Sequence, residues 1–288
     1  MANDKNIQKQ SIQIPTQFIY LGKALQFVSK KLAAFYAGSL FMTPIKFKMP
    51  KREFHMDKES VQTPLFIPSL QKEIVVYTYG NSDKKILLSH GWCGRGTQLY
   101  KIADALLKEG YTTISFDAPA HGKSAGKKSN MKEFIEVILE MEKQYGPFEA
   151  AVGHSLGGMA LLNAYKQPKS IKKLVTVGSG NVIDDIIKDF IKQMKMQPVV
   201  GKLMKKRIET RINETMNDFS SYIAAKEIDI PVLVIHDEDD VDVPVTAAYQ
   251  IKEQLTNGSI YITKGLGHRK ILGNDTVIEK IVNHIKTP

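Results

Sequence analysis

The chain has 288 residues, 43% of them hydrophobic and 24% charged, with a formal net charge of +10. That is ordinary for a soluble globular protein, and the length suits one large domain with an inserted segment. A single cysteine, Cys93, excludes an internal disulfide and removes any support for an oxidising compartment.

The amino terminus, MANDKNIQKQ, lacks the apolar core and cleavage site of a signal peptide. The longest uncharged apolar run, residues 32–45, has 14 residues, short of the ~20 that a membrane span needs. A cytoplasmic location is expected. Residues 1–50 contain FIYLGKALQFVSKKLAAFYAGSLFM, helical in pattern with Lys23, Lys30 and Lys31 interrupting. Two readings stand for this N-terminal extension. It packs on the domain, the favoured reading, because amphipathic helices usually cover a core. Alternatively it is an interfacial helix that touches an anionic membrane through its basic face. Residues 1–60 hold ten Lys/Arg against four Asp/Glu, and residues 185–212 hold eight against three. No nucleic-acid motif accompanies this charge, so a solvated basic surface is preferred to a nucleic-acid partner.

Residues 51–288 read as one α/β domain. From Glu73 onward, apolar strand-like runs alternate with helical periods. EIVVYTYG and KKILLSH are strands, TQLYKIADALLKEG is a helix, and YTTISFD is a strand. MKEFIEVILEMEKQYG is a helix, FEAAVGH a strand, LGGMALLNAYKQ a helix and KKLVTVGS a strand. Later come IPVLVIHD, the helix VTAAYQIKEQL, the strand GSIYIT and the helix DTVIEKIVNHIK. This alternation predicts a mostly parallel sheet flanked by helices. Residues 181–226 break it. They are helical, Met-rich and basic, and read as a lid inserted over one end of the sheet.

In open parallel sheets, ligands bind beyond the carboxyl ends of the strands. Five predicted strand ends carry polar or Gly-rich loops: HGWCG from His90, DAPAHGKS from Asp117, GHSLG from Gly153, HDEDDVDVP from His236 and GLGH from Gly265. The third contains G-x-S-x-G. A serine hydroxyl is a weak nucleophile and needs an adjacent base, which a carboxylate orients. A sharp strand–turn–helix elbow would expose Ser155, with small flanks at Gly153 and Gly157. His268 and Asp240 follow the last two strands, in the order this architecture requires. The backbone N–H groups of Trp92 and Leu156 are placed to hold an oxyanion. His154 is expected to be packed and turned away from the site, and Cys93 to be a small packing residue. No His/Cys spacing suggests a metal.

With those motifs in view, the chain resembles the α/β-hydrolase superfamily from about Glu73 to its end. Ala120 stands where the DAPAHGKS loop usually has glycine, and Asp237 stands where the acid segment usually has glycine. The spacing within the superfamily selects Asp240 as the acid, with Asp239 as runner-up. His90 and His121 resemble structural positions. The resemblance implies a serine hydrolase that cleaves a carboxylic ester or thioester through an acyl-enzyme on Ser155, with no cofactor and a small acyl substrate. The apolar lid points to a lipophilic acyl group. The alternative is a non-catalytic binding or membrane-associated protein that retains the fold. The oligomeric state is open.

Overall fold

Runs such as KILLS, TTISFD and VLVIHD are apolar on both faces, so strands made of them are stable only where helices cover both sides. The computed structural model describes residues 13–166 and 170–287 and covers them in that way. The strands are β1 (Val61–Ile67), β2 (Lys72–Tyr79), β3 (Lys85–Ser89), β4 (Thr112–Asp117), β5 (Ala150–His154), β6 (Leu174–Val177), β7 (Val232–Asp237) and β8 (Gly258–Thr263). They form one sheet in the order β1-β2-β4-β3-β5-β6-β7-β8. The β1–β2 and β2–β4 pairs are antiparallel, and the rest are parallel. Strands β4 to β7 are buried at every residue.

The sequence reading starts the sheet at Glu73, and the structure adds β1 before it. Pro64 sits in the middle of β1 and argues against a strand, since it has no N–H for the ladder. As an edge strand with β2 alone beside it, β1 tolerates that loss.

The helices are α1 (Thr16–Val28), α2 (Lys30–Phe41), α3 (Phe54–Glu59), α4 (Tyr100–Lys108), α5 (Met131–Tyr145), α6 (Leu156–Ala164), α7 (Ile183–Gln193), α8 (Pro198–Ile212), α9 (Ser221–Ala225), α10 (Thr246–Gln254), α11 (Gly267–Lys270) and α12 (Asp275–Lys286). The helix predicted over LGGMALLNAYKQ ends at Ala164, and its last predicted residue, Gln167, lies outside the described residues. One face of the sheet packs on α5, α6 and α10 through residues such as Phe134, Leu162 and Ile251. The other face packs on α4 and α12 through Leu106, Ile281 and Val282.

A third apolar cluster forms a cap. Ala33, Ala34 and Ala37 on α2 are buried with Ile187 and Ile191 of α7 and with Val200 and Met204 of α8. The three alanines let α2 lie close, and a side chain at Gly38 would press on Met204. On α1, a side chain at Gly22 would collide with the methyl groups of Met194 and Met196. The cap is therefore built jointly by the N-terminal hairpin and the insertion between β6 and β7. Residues 1–12, part of the expected basic extension, lie outside the described residues.

Candidate active site

Strand β5 ends at His154 and α6 begins at Leu156, so Ser155 alone turns the chain. Its backbone lies at φ 53°, ψ −119°, a region that side-chain-bearing residues avoid. The small flanks make the turn feasible. A Cβ on Gly153 would sit 2.6 Å from the Gly157 carbonyl oxygen, and one on Gly157 would run into the carbonyls of Ser89 and His90. The Ser155 N–H donates to the Val177 carbonyl at 3.0 Å, and the Ser155 carbonyl accepts from Gly158 and Met159. Leu156 is the first residue of α6. Its N–H therefore lacks an intrahelical acceptor and lies at the positive end of the helix dipole.

The loop after β3 comes against this elbow. A Cβ on Gly91 would lie 3.0 Å from the Ser155 Cβ. The Gly94 N–H donates to the Gly91 carbonyl at 2.9 Å, closing a turn around Trp92 and Cys93, with Cys93 at φ 59°. Gln98 Oε1 accepts the Gly91 N–H at 2.9 Å. His90 Nε2 accepts from the Ala118 N–H at 3.1 Å, which leaves its Nδ1–H to the Gly91 carbonyl at 2.7 Å. The N-terminal segment also holds this loop. Ile45 N–H donates to Cys93 Sγ at 3.2 Å, and Arg95 donates to the Phe47 carbonyl at 2.7 Å. Burial pushes the Cys93 thiol up to about 11, so it stays protonated near neutral pH and acts as a packing group.

His268 Nδ1–H donates to Asp240 Oδ2 at 2.7 Å. The other carboxylate oxygen, Asp240 Oδ1, accepts the N–H groups of Asp242 and Val243, both at 2.9 Å. His236 Nε2 lies 3.4 Å from Asp240 Oδ2 while donating to the Val243 carbonyl. Burial alone would raise the Asp240 carboxyl. The hydrogen bonds of His236 and His268, the charge of His268 and the Val243 N–H outweigh it and hold Asp240 well below the usual carboxylate range.

Asp239 is exposed and accepts the Gly265 N–H at 3.0 Å instead. Asp237, in the place of the usual glycine, is fully buried. Its two oxygens take the Thr263 hydroxyl and the N–H groups of Asp239, Leu266 and Gly267 at 2.7–3.1 Å. Asp237 and Asp239 thus tie the acid loop to the His268 loop. A loop-capping role was one of two readings the residues allowed for Asp237, but the link to the His268 loop was not foreseen. The departure from glycine at 237 was its one available signal.

His154 is packed as expected but does not turn away from the site. Its Nε2–H donates to the His268 carbonyl at 3.0 Å, and the two rings lie 4.7 Å apart. From the other side, a Cβ on Gly178 would sit 3.2 Å from His268 Nδ1. His154 at the end of β5 and Gly178 just after β6 therefore both lie against His268.

Burial first, and the charge of His268 second, push His154 down to about 3, from an ordinary value of 6.5. The unfolded chain then binds a proton near pH 6.5 that the folded chain refuses until about pH 3. His154 consequently leaves the fold fully stable above pH 6.5 and weakens it as pH falls toward 3. Between pH 6.5 and 5 the loss is about 2 kcal/mol. His154→Gln is expected to remove that slope, as urea unfolding at pH 5 and pH 7 would measure. An unchanged difference between the two pH values would contradict it.

Ser155, Trp92 and Leu156 open into a cavity of about 860 Å³ between the sheet and the cap. Its cap side is aromatic and aliphatic, with Phe18, Phe41, Phe190 and Ile208. Lys128, Lys132 and Arg211 also line it. That size and lining suit a ligand with an extended apolar portion.

Donor atoms of Asp240, Asp242 and His268 lie within 4.8 Å of one another, which is metal-ligand proximity. Asp240 and His268 are already hydrogen-bonded to each other, and the second oxygen of Asp240 takes two N–H groups. The carboxylate is thus oriented toward an imidazole and two amides.

Residues 84–215 match the family model for the alpha/beta hydrolase fold. An uncharacterized protein of Mycobacterium tuberculosis is 30% identical over 134 residues, 41% of this chain and 37% of that protein. The match thus spans little more than a third of that relative's length. Methylesterase 7 of Arabidopsis thaliana is 27% identical over 138 residues, 42% of this chain and 53% of that protein. In three dimensions, the Pyrococcus furiosus esterase Pf2001 superposes with a TM-score of 0.64 at 19% identity, over 85% of this chain and 96% of that one.

Proposed function

We propose that this chain, which has the alpha/beta hydrolase fold, is a serine hydrolase of carboxylic esters or thioesters. The observation that carries the reading is the 2.7 Å His268–Asp240 pair, whose imidazole lies 4.7 Å from the ring of His154, the residue before Ser155 in a Gly-flanked elbow at φ 53°. The similarity to a methylesterase and to an esterase supports an ester as the bond.

In this mechanism Asp240 fixes the Nδ1–H tautomer of His268 and leaves the Nε2 lone pair free to act as base. Ser155 Oγ attacks the acyl carbonyl carbon as its proton passes to Nε2. The N–H groups of Leu156 and Trp92 stabilise the oxyanion. The tetrahedral intermediate collapses, the C–O or C–S bond breaks, and His268 returns the proton to the leaving alcohol or thiol. Water, deprotonated by His268, then attacks the acyl-enzyme and releases the acid. Asp240 stays ionised throughout, and its low-lying carboxyl supports the imidazolium that forms in each half-reaction.

The cavity's apolar cap side favours a lipophilic acyl group. Rates on nitrophenyl esters of increasing chain length test this. kcat/KM is expected to rise from acetate to at least octanoate, about threefold or more per two methylenes while the chain is being buried. A profile that peaks at acetate and falls thereafter would contradict the lipophilic pocket. Absence of hydrolysis across the whole series would contradict the hydrolase reading.

A further inference from the structure

We propose that the outer face of the α1–α2 hairpin docks on an anionic lipid surface, lying in its plane above the cavity that opens at Ser155. The docking stands on the hairpin itself. Its consequence, that substrate is taken from that surface, rests on the ester-hydrolase reading.

Helix α1 is apolar on both sides. Its inner side, with Gly22, Ile19 and Leu25, packs on the Met-rich part of the cap. Its outer side carries Gln17, Tyr20, Leu21, Ala24, Phe27 and Val28, spaced so that they form one helical stripe, and all six are exposed. Phe27 is 95% exposed, Val28 74% and Tyr20 68%. Leu32 and Phe35 continue the patch onto α2, both about half exposed. A helix covering a core ordinarily turns polar residues outward. An apolar stripe of this kind, at the tip of a hairpin, marks an interaction surface.

The charge around the stripe selects the occupant. Lys23, Lys30 and Lys31 stand exposed at its edge, and the sequence contains no acidic residue between Asp4 and Glu53. Behind it, α8 exposes Lys202, Lys206, Arg207 and Arg211. The Arg207 guanidinium lies 4.7 Å over the Phe35 ring, so the basic edge of α8 joins the apolar patch directly. Phe35 and Arg207 also line the cavity, which places its cap side next to the docking face. Apolar residues bordered by lysines are the pattern of a helix that lies in a headgroup layer. A two-fold contact between copies of this chain would set these lysines against their own equivalents. The helices have 13 and 12 residues, and among the described residues none is long and apolar enough to cross a membrane. The hairpin therefore rests in the interface.

The test is cosedimentation of the full chain with vesicles of phosphatidylcholine alone and with 30% phosphatidylglycerol, at low and high salt. Phe27→Glu/Val28→Glu and Lys30→Glu/Lys31→Glu are compared with the wild type, and hydrolysis of a short water-soluble ester runs in parallel. None of these four side chains lines the cavity. Partitioning is expected to be at least about tenfold stronger with the anionic lipid, and to fall about tenfold or more in either variant. It should weaken several-fold at 0.5 M salt. Soluble-ester activity should not change. Wild-type protein that ignores the anionic lipid, or variants that bind as well as wild type, would overturn the proposal. So would a dimer that Phe27→Glu/Val28→Glu dissolves, together with no vesicle binding. Ester cleavage without vesicle binding would overturn docking and leave the hydrolase reading standing. Vesicle binding without cleavage of any ester would do the reverse.

Discussion

Ser155→Ala is expected to lower kcat on a nitrophenyl ester by a factor of about 10⁴ to 10⁶, with KM changed by no more than about threefold. The mutation removes the one atom that forms the acyl-enzyme, while the cavity that binds the acyl chain keeps its lining. It leaves the backbone strain in place, because alanine is no more at ease than serine at φ 53°, ψ −119°. Ser155→Gly is equally inactive by the same logic, yet its backbone tolerates positive φ. The glycine variant is therefore expected to be about 1–2 kcal/mol more stable than the alanine variant in urea. Two inactive variants of different stability would show that the elbow's strain is borne for the sake of the serine's position. Equal stabilities would mean that the loop relaxes when the hydroxyl is lost.

The second large effect separates two adjacent acids. Asp240→Asn is expected to reduce kcat by about 10⁴, because an amide cannot hold the Nδ1–H tautomer of His268 or support an imidazolium. Asp239→Asn should cost less than about tenfold. The amide oxygen can still accept the Gly265 N–H, and the 2.7 Å contact between His268 and Asp240 is untouched. Comparable losses in both variants would mean that the loop, and not a single carboxylate, orients the histidine. Folding distinguishes these cases. Asp240 stays below the usual carboxylate range, so it stabilises the fold above the ordinary carboxylate value near 3.8 and loses that contribution as pH falls below it. In Asp240→Asn this acid-side contribution is gone.

Most of the fold was legible because its strands are short apolar runs buried on both faces, each followed by a Gly-rich or polar loop. Ser155, Asp240 and His268 were candidates because they follow β5, β7 and β8. The choice between Asp240 and Asp239 needed the superfamily spacing as well as the residues. Edge strand β1 was hidden because Pro64 contradicts a ladder and because an edge needs no continuous apolar run. The partner of the N-terminal hairpin was hidden for a different reason. The alanines of α2 meet Met204, some 170 residues later, and periodicity carries no information about such pairings. The pattern of α1 reads as an amphipathic helix interrupted by Lys23, and it could not say which side the cap would cover. From the residues alone, Asp237 could be either a loop-capping acid or a solvated one. Only its burial, with four donors around it, shows that it joins two loops of the site.

Covalent labelling with a fluorophosphonate, with the adduct located by peptide mass spectrometry, shows whether Ser155 is the nucleophile. A single stoichiometric adduct on Ser155, absent in Ser155→Ala and at least about a thousandfold slower in Asp240→Asn, is the predicted result. A well-folded wild type that takes no label, or an adduct that persists in Ser155→Ala, would contradict the assignment of Ser155 as the nucleophile.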